Sequence, residues 1–79
     1  MDVVFCRHFK KEMPALKKAP LAGKIGQIIL ENVSEEAFNE WLEDQIKIIN
    51  EERLDLSEEK AQRRLFEAMV AYLNIQDLV

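Results

Sequence analysis

Cysteine occurs once in these 79 residues, and so does histidine. A lone cysteine closes no internal disulfide, whereas small secreted domains ordinarily carry several bridges, so the composition points to a reducing, cytoplasmic setting. The same count excludes a four-cysteine zinc ribbon and a C-x-x-C redox pair. No apolar run approaches the roughly 18 residues of a membrane span. Val3-Val4-Phe5, followed at once by charge, is too short for the apolar core of a signal peptide. Internal repeats and low-complexity tracts are missing, as are a serine-nucleophile motif and a phosphate-cradling loop. Gly23-x-x-Gly26 lacks the further glycine and the Lys-Ser/Thr that such a loop uses. These gaps speak for a protein that is not an enzyme.

What is present favours a packed fold. Hydrophobic residues make up 48% of the chain, enough for a core and too many for a disordered segment. Seventy-nine residues fit one domain, spanning 1–79. Charge is unevenly spread. Residues 1–24 carry six bases and two acids, while residues 25–79 carry five bases and thirteen acids. A basic front on an acidic body suits docking to an acidic partner, with Arg7, Lys10, Lys11, Lys17 and Lys18 as the interaction patch. The alternative is that these lysines only solvate a loop and an edge strand. The acidic whole and the absence of an aromatic–basic RNA motif speak against nucleic acid.

The spacing of apolar residues predicts an α+β fold, a short N-terminal antiparallel β-hairpin packed against three α-helices. Residues 2–9 read as a strand, rich in valine and phenylalanine. Its alternation places Val3, Phe5, Arg7 and Phe9 on the core side, leaving Val4, Cys6 and His8 on the opposite face. An edge strand is expected at about 15–19, between Pro14 and Pro20. Helices are expected at about 21–32, 35–52 and 58–74. Gly23 and Gly26 weaken the first of these, unless glycine admits another backbone there. Ser34 is the expected N-cap of the second, with Glu35 and Glu36 in its first turn and Val33 and Phe38 as a hydrophobic staple. This helix carries Phe38, Trp41, Leu42, Gln45, Ile48 and Ile49 as its stripe, and a Glu43–Lys47 pair on its surface. Ser57 is the expected cap of the third, whose apolar face runs through Ala61, Leu65, Ala68, Met69, Tyr72 and Leu73.

Few side chains in this pattern carry chemistry. Cys6 is the foremost candidate, since a thiolate is both nucleophile and metal ligand, and Arg7, Lys10 and Lys11 would favour it. A reactive thiol can pass reversibly through sulfenic acid or a mixed disulfide; a buried one is simply a small hydrophobe. His8 can join Cys6 at divalent iron, although two ligands on one strand need a further carboxylate to make a site. Glu36, Glu40 and Asp44 recur at four-residue intervals and offer hard oxygen ligands, or merely a solvated face.

The ordered set of features resembles one known family. Phe5-Cys6 comes first, then Pro20-Leu21-Ala22-Gly23-Lys24-Ile25-Gly26, then Asn32 through Trp41 (NVSEEAFNEW), then Ile48-Ile49-Asn50-Glu51-Glu52-Arg53-Leu54. This resembles the bacterial Fe(II)-trafficking, or oxidative-damage-protection, family over roughly residues 3–73. Two departures stand out. Leu21 and Ala22 separate proline from glycine where many members join them, and Val79 comes before the polar tail that many members carry. The resemblance implies a cytoplasmic bacterial protein, a monomer, that helps supply iron to iron–sulfur cluster proteins and protects them from oxidation. It implies Fe(II) as a transient or weakly held cargo, no organic cofactor, and iron–sulfur proteins or iron-handling machinery as partners. Of the family's residues, only Cys6 carries over as functionally implicated.

Overall fold

Two short strands pair because the chain reverses immediately after Cys6. In the computed structural model, which describes residues 2–79, β1 (Val3–Cys6) pairs antiparallel with β2 (Lys11–Pro14). The register sets Val3 against Pro14, Val4 against Met13, Phe5 against Glu12 and Cys6 against Lys11. Lys10 closes the turn, with its N–H 2.6 Å from the Cys6 carbonyl and a left-handed φ of 59°.

Two expectations are corrected here. The second strand lies at 11–14 and not at 15–19. A turn of only residues 7–10 brings the return strand forward, and Pro14, which has no N–H to donate, falls at the end of the ladder. Ala15 adds one bond from its N–H to the Asp2 carbonyl at 3.0 Å and an isolated bridge to Ser34. The core-facing side of β1 is also the reverse of the one expected. Cys6 is fully buried, whereas Val3 and Phe5 are more than half exposed. The strand stops at Cys6, so Phe9 reaches the core from the turn instead of by alternation. Two phenylalanines therefore do not share a face, and Val4, Cys6 and Met13 form the inner surface of the hairpin.

The first helix, α1 (Gly23–Asn32), starts two residues later than expected. Ala22 is extended at the N-cap and Gly23 takes φ +79°. The reason lies at Gly26, whose absent Cβ would stand 1.7 Å from the carbonyl oxygen of Leu21. The chain entering the helix folds over its own first turn, and only glycine permits that approach.

The second helix, α2 (Glu35–Glu52), has the expected bounds. Ser34 caps it by accepting the Ala37 N–H at 3.1 Å, and Val33 and Phe38 are both in the core. Arg53 ends it in the left-handed region, φ 51°. The third helix, α3 (Glu59–Leu73), is one residue shorter than expected at each end, and its N-cap Glu58 makes no side-chain cap bond. Ser57 does not cap it. The Ser57 N–H and hydroxyl both turn back to the Asp55 carboxylate, at 3.0 and 2.6 Å, and hold that carboxyl below its ordinary range. Arg64 then forks onto Glu52 at 3.0 and 2.7 Å, tying α3 to the end of α2. The charged i,i+4 pair is Glu59–Arg63; Glu43 and Lys47 make no ion pair among the described residues.

Beneath the hairpin the core gathers Cys6, Ile29, Val33, Phe38, Trp41 and Leu73, among others. The chain ends in a short 3-10 turn, Gln76–Leu78, which follows the fully buried Ile75. Among the described residues no helix is long and apolar enough to cross a membrane.

Candidate functional site

The end of β1 delivers Cys6 into a cage of donors. Its side chain has no exposed surface. Ser34 gives the sulfur two hydrogen bonds, from its hydroxyl at 3.3 Å and its backbone N–H at 3.4 Å. The backbone N–H groups of Phe9 and His8 also bond to the sulfur. Burial alone would push the thiol pKa up. Hydrogen bonds from Ser34, Phe9 and His8 outweigh it, and the net pKa lies below the ordinary value. The expected influence of Arg7, Lys10 and Lys11 is not the cause; neutral donors do this work. Ser34 is at once the cap of α2 and a partner of the sulfur, the only buried polar side chain among the described residues. Its capping role is readable from sequence. Its bond to Cys6 is not, since 28 positions separate them.

His8 lies in the turn beyond the strand, and its ring faces α2 and α3. Nδ1 is 2.7 Å from the Tyr72 carbonyl oxygen. That oxygen can only accept, so Nδ1 carries the proton. The ring stacks on Tyr72 at 4.6 Å and meets Phe9 edge-on at 4.8 Å. Nε2 is left facing Glu40, 3.7 Å from Oε2.

Arg7 completes a clasp. Its backbone N–H donates to the Asn32 carbonyl at 2.9 Å. Its guanidinium donates to the Asn74 carbonyl at 2.9 Å and to the Asp77 carboxylate. Asn74, left-handed at the end of α3, returns a bond to the Arg7 carbonyl at 3.3 Å. Through Arg7 and His8 the turn that roofs Cys6 is therefore pinned to the ends of α1 and α3. Asn74 and Asp77 escaped sequence reading because nothing local marks a partner nearly 70 positions away.

Of the remaining candidates, Glu40 reaches this clasp, where it faces His8. Arg7 is committed to it, while Lys10, Lys11, Lys17 and Lys18 are exposed. Glu36 and Glu40 border a groove beside α2, together with Asp2, Glu35 and Glu43. Among the described residues no three His, Cys, Asp or Glu side chains converge as a metal cage.

The bacterial Fe(2+) trafficking family model matches residues 1–78. The chain belongs to the bacterial Fe(2+)-trafficking family. A relative from Marinomonas sp. is 44% identical over 73 residues, covering 92% of this chain and 78% of its own. One from Acinetobacter baumannii is 43% identical over 76 residues, covering 96% and 85%. A third, from Chromohalobacter salexigens, is 42% identical over 73 residues, covering 92% and 81%. Each bears the name "Probable Fe(2+)-trafficking protein". The segments that resembled the Fe(2+)-trafficking family in sequence have distinct structural duties. Phe5-Cys6 ends β1, Gly26 admits the Leu21 backbone, and Ser34 joins the cap of α2 to the buried sulfur.

Proposed function

We propose that this chain carries Fe(II) as cargo, helps supply it to iron–sulfur cluster proteins, and protects those proteins from oxidation. The protein acts without catalysis, in the cytoplasm, as a monomer that meets iron–sulfur proteins or iron-handling machinery. The family match along residues 1–78 carries the iron reading. The donor cage around Cys6 supports the protective part, because a sulfur held by Ser34, Phe9 and His8 favours the thiolate, the form that reacts with oxidants. With no exposed surface, that thiolate meets an oxidant only when the structure around it opens.

The test is the survival of an iron–sulfur enzyme under oxidant, in the presence of the parent protein or of Cys6→Ser. The variant keeps the fold and loses protection. Equal protection by both proteins would remove the thiol from the mechanism.

The exposure of Lys10, Lys11, Lys17 and Lys18 favours a second reading, a regulatory module docking an acidic partner. Reversing these four to glutamate would abolish that docking, whereas Cys6→Ser would leave it intact.

A further inference from the structure

The two edges of the hairpin are unlike. The Ala15 N–H donates to the Asp2 carbonyl at 3.0 Å, which makes Asp2 and Ala15 a hydrogen-bonded pair of the ladder. By alternation Val4–Met13 and Cys6–Lys11 are bonded pairs too, and the backbone N–H and C=O of Val3 and Phe5 point away from β2. Arg7, next in that series, gives its N–H to the Asn32 carbonyl. Among the described residues no backbone group outside the hairpin meets those of Val3 or Phe5. The edge of β2 is closed by contrast, since Pro14 has no N–H to offer and Ala15 is bridged to Ser34.

Proteins keep a free edge from pairing with charge, proline or a bulge. The strand β1, VVFC, has no charge and no proline, and its register runs without a bulge. Val3 and Phe5 share its outer face and are more than half exposed, so a further strand laid along this edge would cover them. Charge stands at the two ends of the hairpin. Lys10 and Lys11 lie at the turn, level with Cys6, and Lys17 and Lys18 follow β2 past the other end. All four are exposed, and only Asp2 and Glu12 oppose them in residues 1–18. The hairpin is thus positive on a chain of net charge −4.

We infer that the outer edge of β1 docks an extended acidic segment of a partner protein, which adds a third strand to the hairpin. The segment carries apolar residues at its centre, against Val3 and Phe5, and carboxylates toward its ends, against the lysines. This rests on the acidic-partner reading above and names the backbone that does the docking. A second copy of the chain is a poorer occupant, because it brings the same lysines to the same edge. Two outward-facing residues make a small interface, so the contact is transient and weakens with salt.

The experiment titrates the full chain at low salt with the capped peptide EDVTVED, read from backbone amide signals. A second peptide, N-methylated at both valines, keeps every charge and side chain but loses the donors that an added strand presents. Val3→Pro removes one outward N–H and no ladder bond, a place where proline is tolerated. The expected result is saturable binding that shifts the Val3 and Phe5 amides and slows their exchange with solvent. Val3→Pro should weaken it about five-fold, the worth of one hydrogen bond. N-methylation, or reversal of the four lysines to glutamate, should abolish it. The methylated peptide decides the matter even if Val3→Pro unfolds. Binding that survives methylation, or shifts that centre elsewhere, overturns the edge, and the acidic-partner reading stands if lysine reversal still abolishes binding. No saturable binding by the parent overturns both. Changes at Val3 and Phe5 that follow protein concentration without peptide assign the edge to a second copy and also overturn the proposal.

Discussion

The hydroxyl of Ser34 lies 3.3 Å from the sulfur of Cys6 and 3.1 Å from the Ala37 nitrogen, so one side chain joins the end of β1 to the first turn of α2. It accepts from the helix and donates to the sulfur. Stability and thiol chemistry thus meet at a single buried residue.

Replacing Ser34 with alanine removes both bonds. Loss of the cap alone costs about 1 kcal/mol, and the unmet hydrogen bond at the buried sulfur adds a comparable amount. The thiol pKa should rise, because burial would then act with less opposition. Denaturant midpoints and an ultraviolet titration of the thiolate measure the two effects. An unchanged thiol pKa in a folded Ser34→Ala protein would show that Ser34 does not set the ionisation of Cys6.

The lowered thiol pKa also makes stability depend on pH. A group whose folded pKa lies below its unfolded value adds stability that is fully present above the unfolded pKa and lost as pH falls through the folded one. The ordinary value is 9.0. The parent should therefore gain stability relative to Cys6→Ala as pH rises through the window below 9.0, and the difference should level off above it. Denaturant midpoints of both proteins, compared at each pH, isolate this contribution from other alkaline titrations. A difference that stays flat across the window, or shrinks with rising pH, would contradict it.

Arg7 pins the turn that follows Cys6 to the end of α3. Arg7→Ala removes the bonds to Asn74 and Asp77, both at the surface, so the global stability loss should be small, about 1 kcal/mol or less. Local opening of the turn should become easier, and alkylation of Cys6 in the native protein should speed up about five-fold for each kcal/mol removed from the clasp. The rate of thiol labelling, measured well below the denaturant transition, gives the answer. No acceleration would mean that the sulfur is reached by another opening.

Gly26→Ala tests the packing of α1. A methyl group there overlaps the Leu21 carbonyl, and the obstruction is backbone, which cannot rotate away. Despite alanine's better helix propensity, the variant should lose about 3 kcal/mol, at the upper end of overpacking costs. Thermal unfolding by circular dichroism gives the value. A neutral or stabilising effect would show that residues 19–22 reposition freely.

Whatever short-range physics controls was legible in the chain before folding was considered. Apolar spacing and the Ser34 cap placed α2 at its observed bounds, and charge and cysteine count narrowed the classes of function. The family was readable from Phe5-Cys6, Gly23-x-x-Gly26 and the Ser34–Trp41 segment, because their order and intervals survive without knowledge of contacts. Tertiary structure alone decided which face of β1 turns inward. Alternation holds only while a strand lasts, and this one ends at Cys6, so the apparent weight of Phe5 and Phe9 pointed the wrong way. It also decided the company each candidate keeps. The thiol pKa of Cys6 is lowered by Ser34 and turn backbone instead of the nearby basic side chains, and the His8 ring faces Tyr72 and Glu40. Ser34 stands 28 positions from Cys6 and Tyr72 stands 64 from His8, and only folding brings such separations within hydrogen-bonding range.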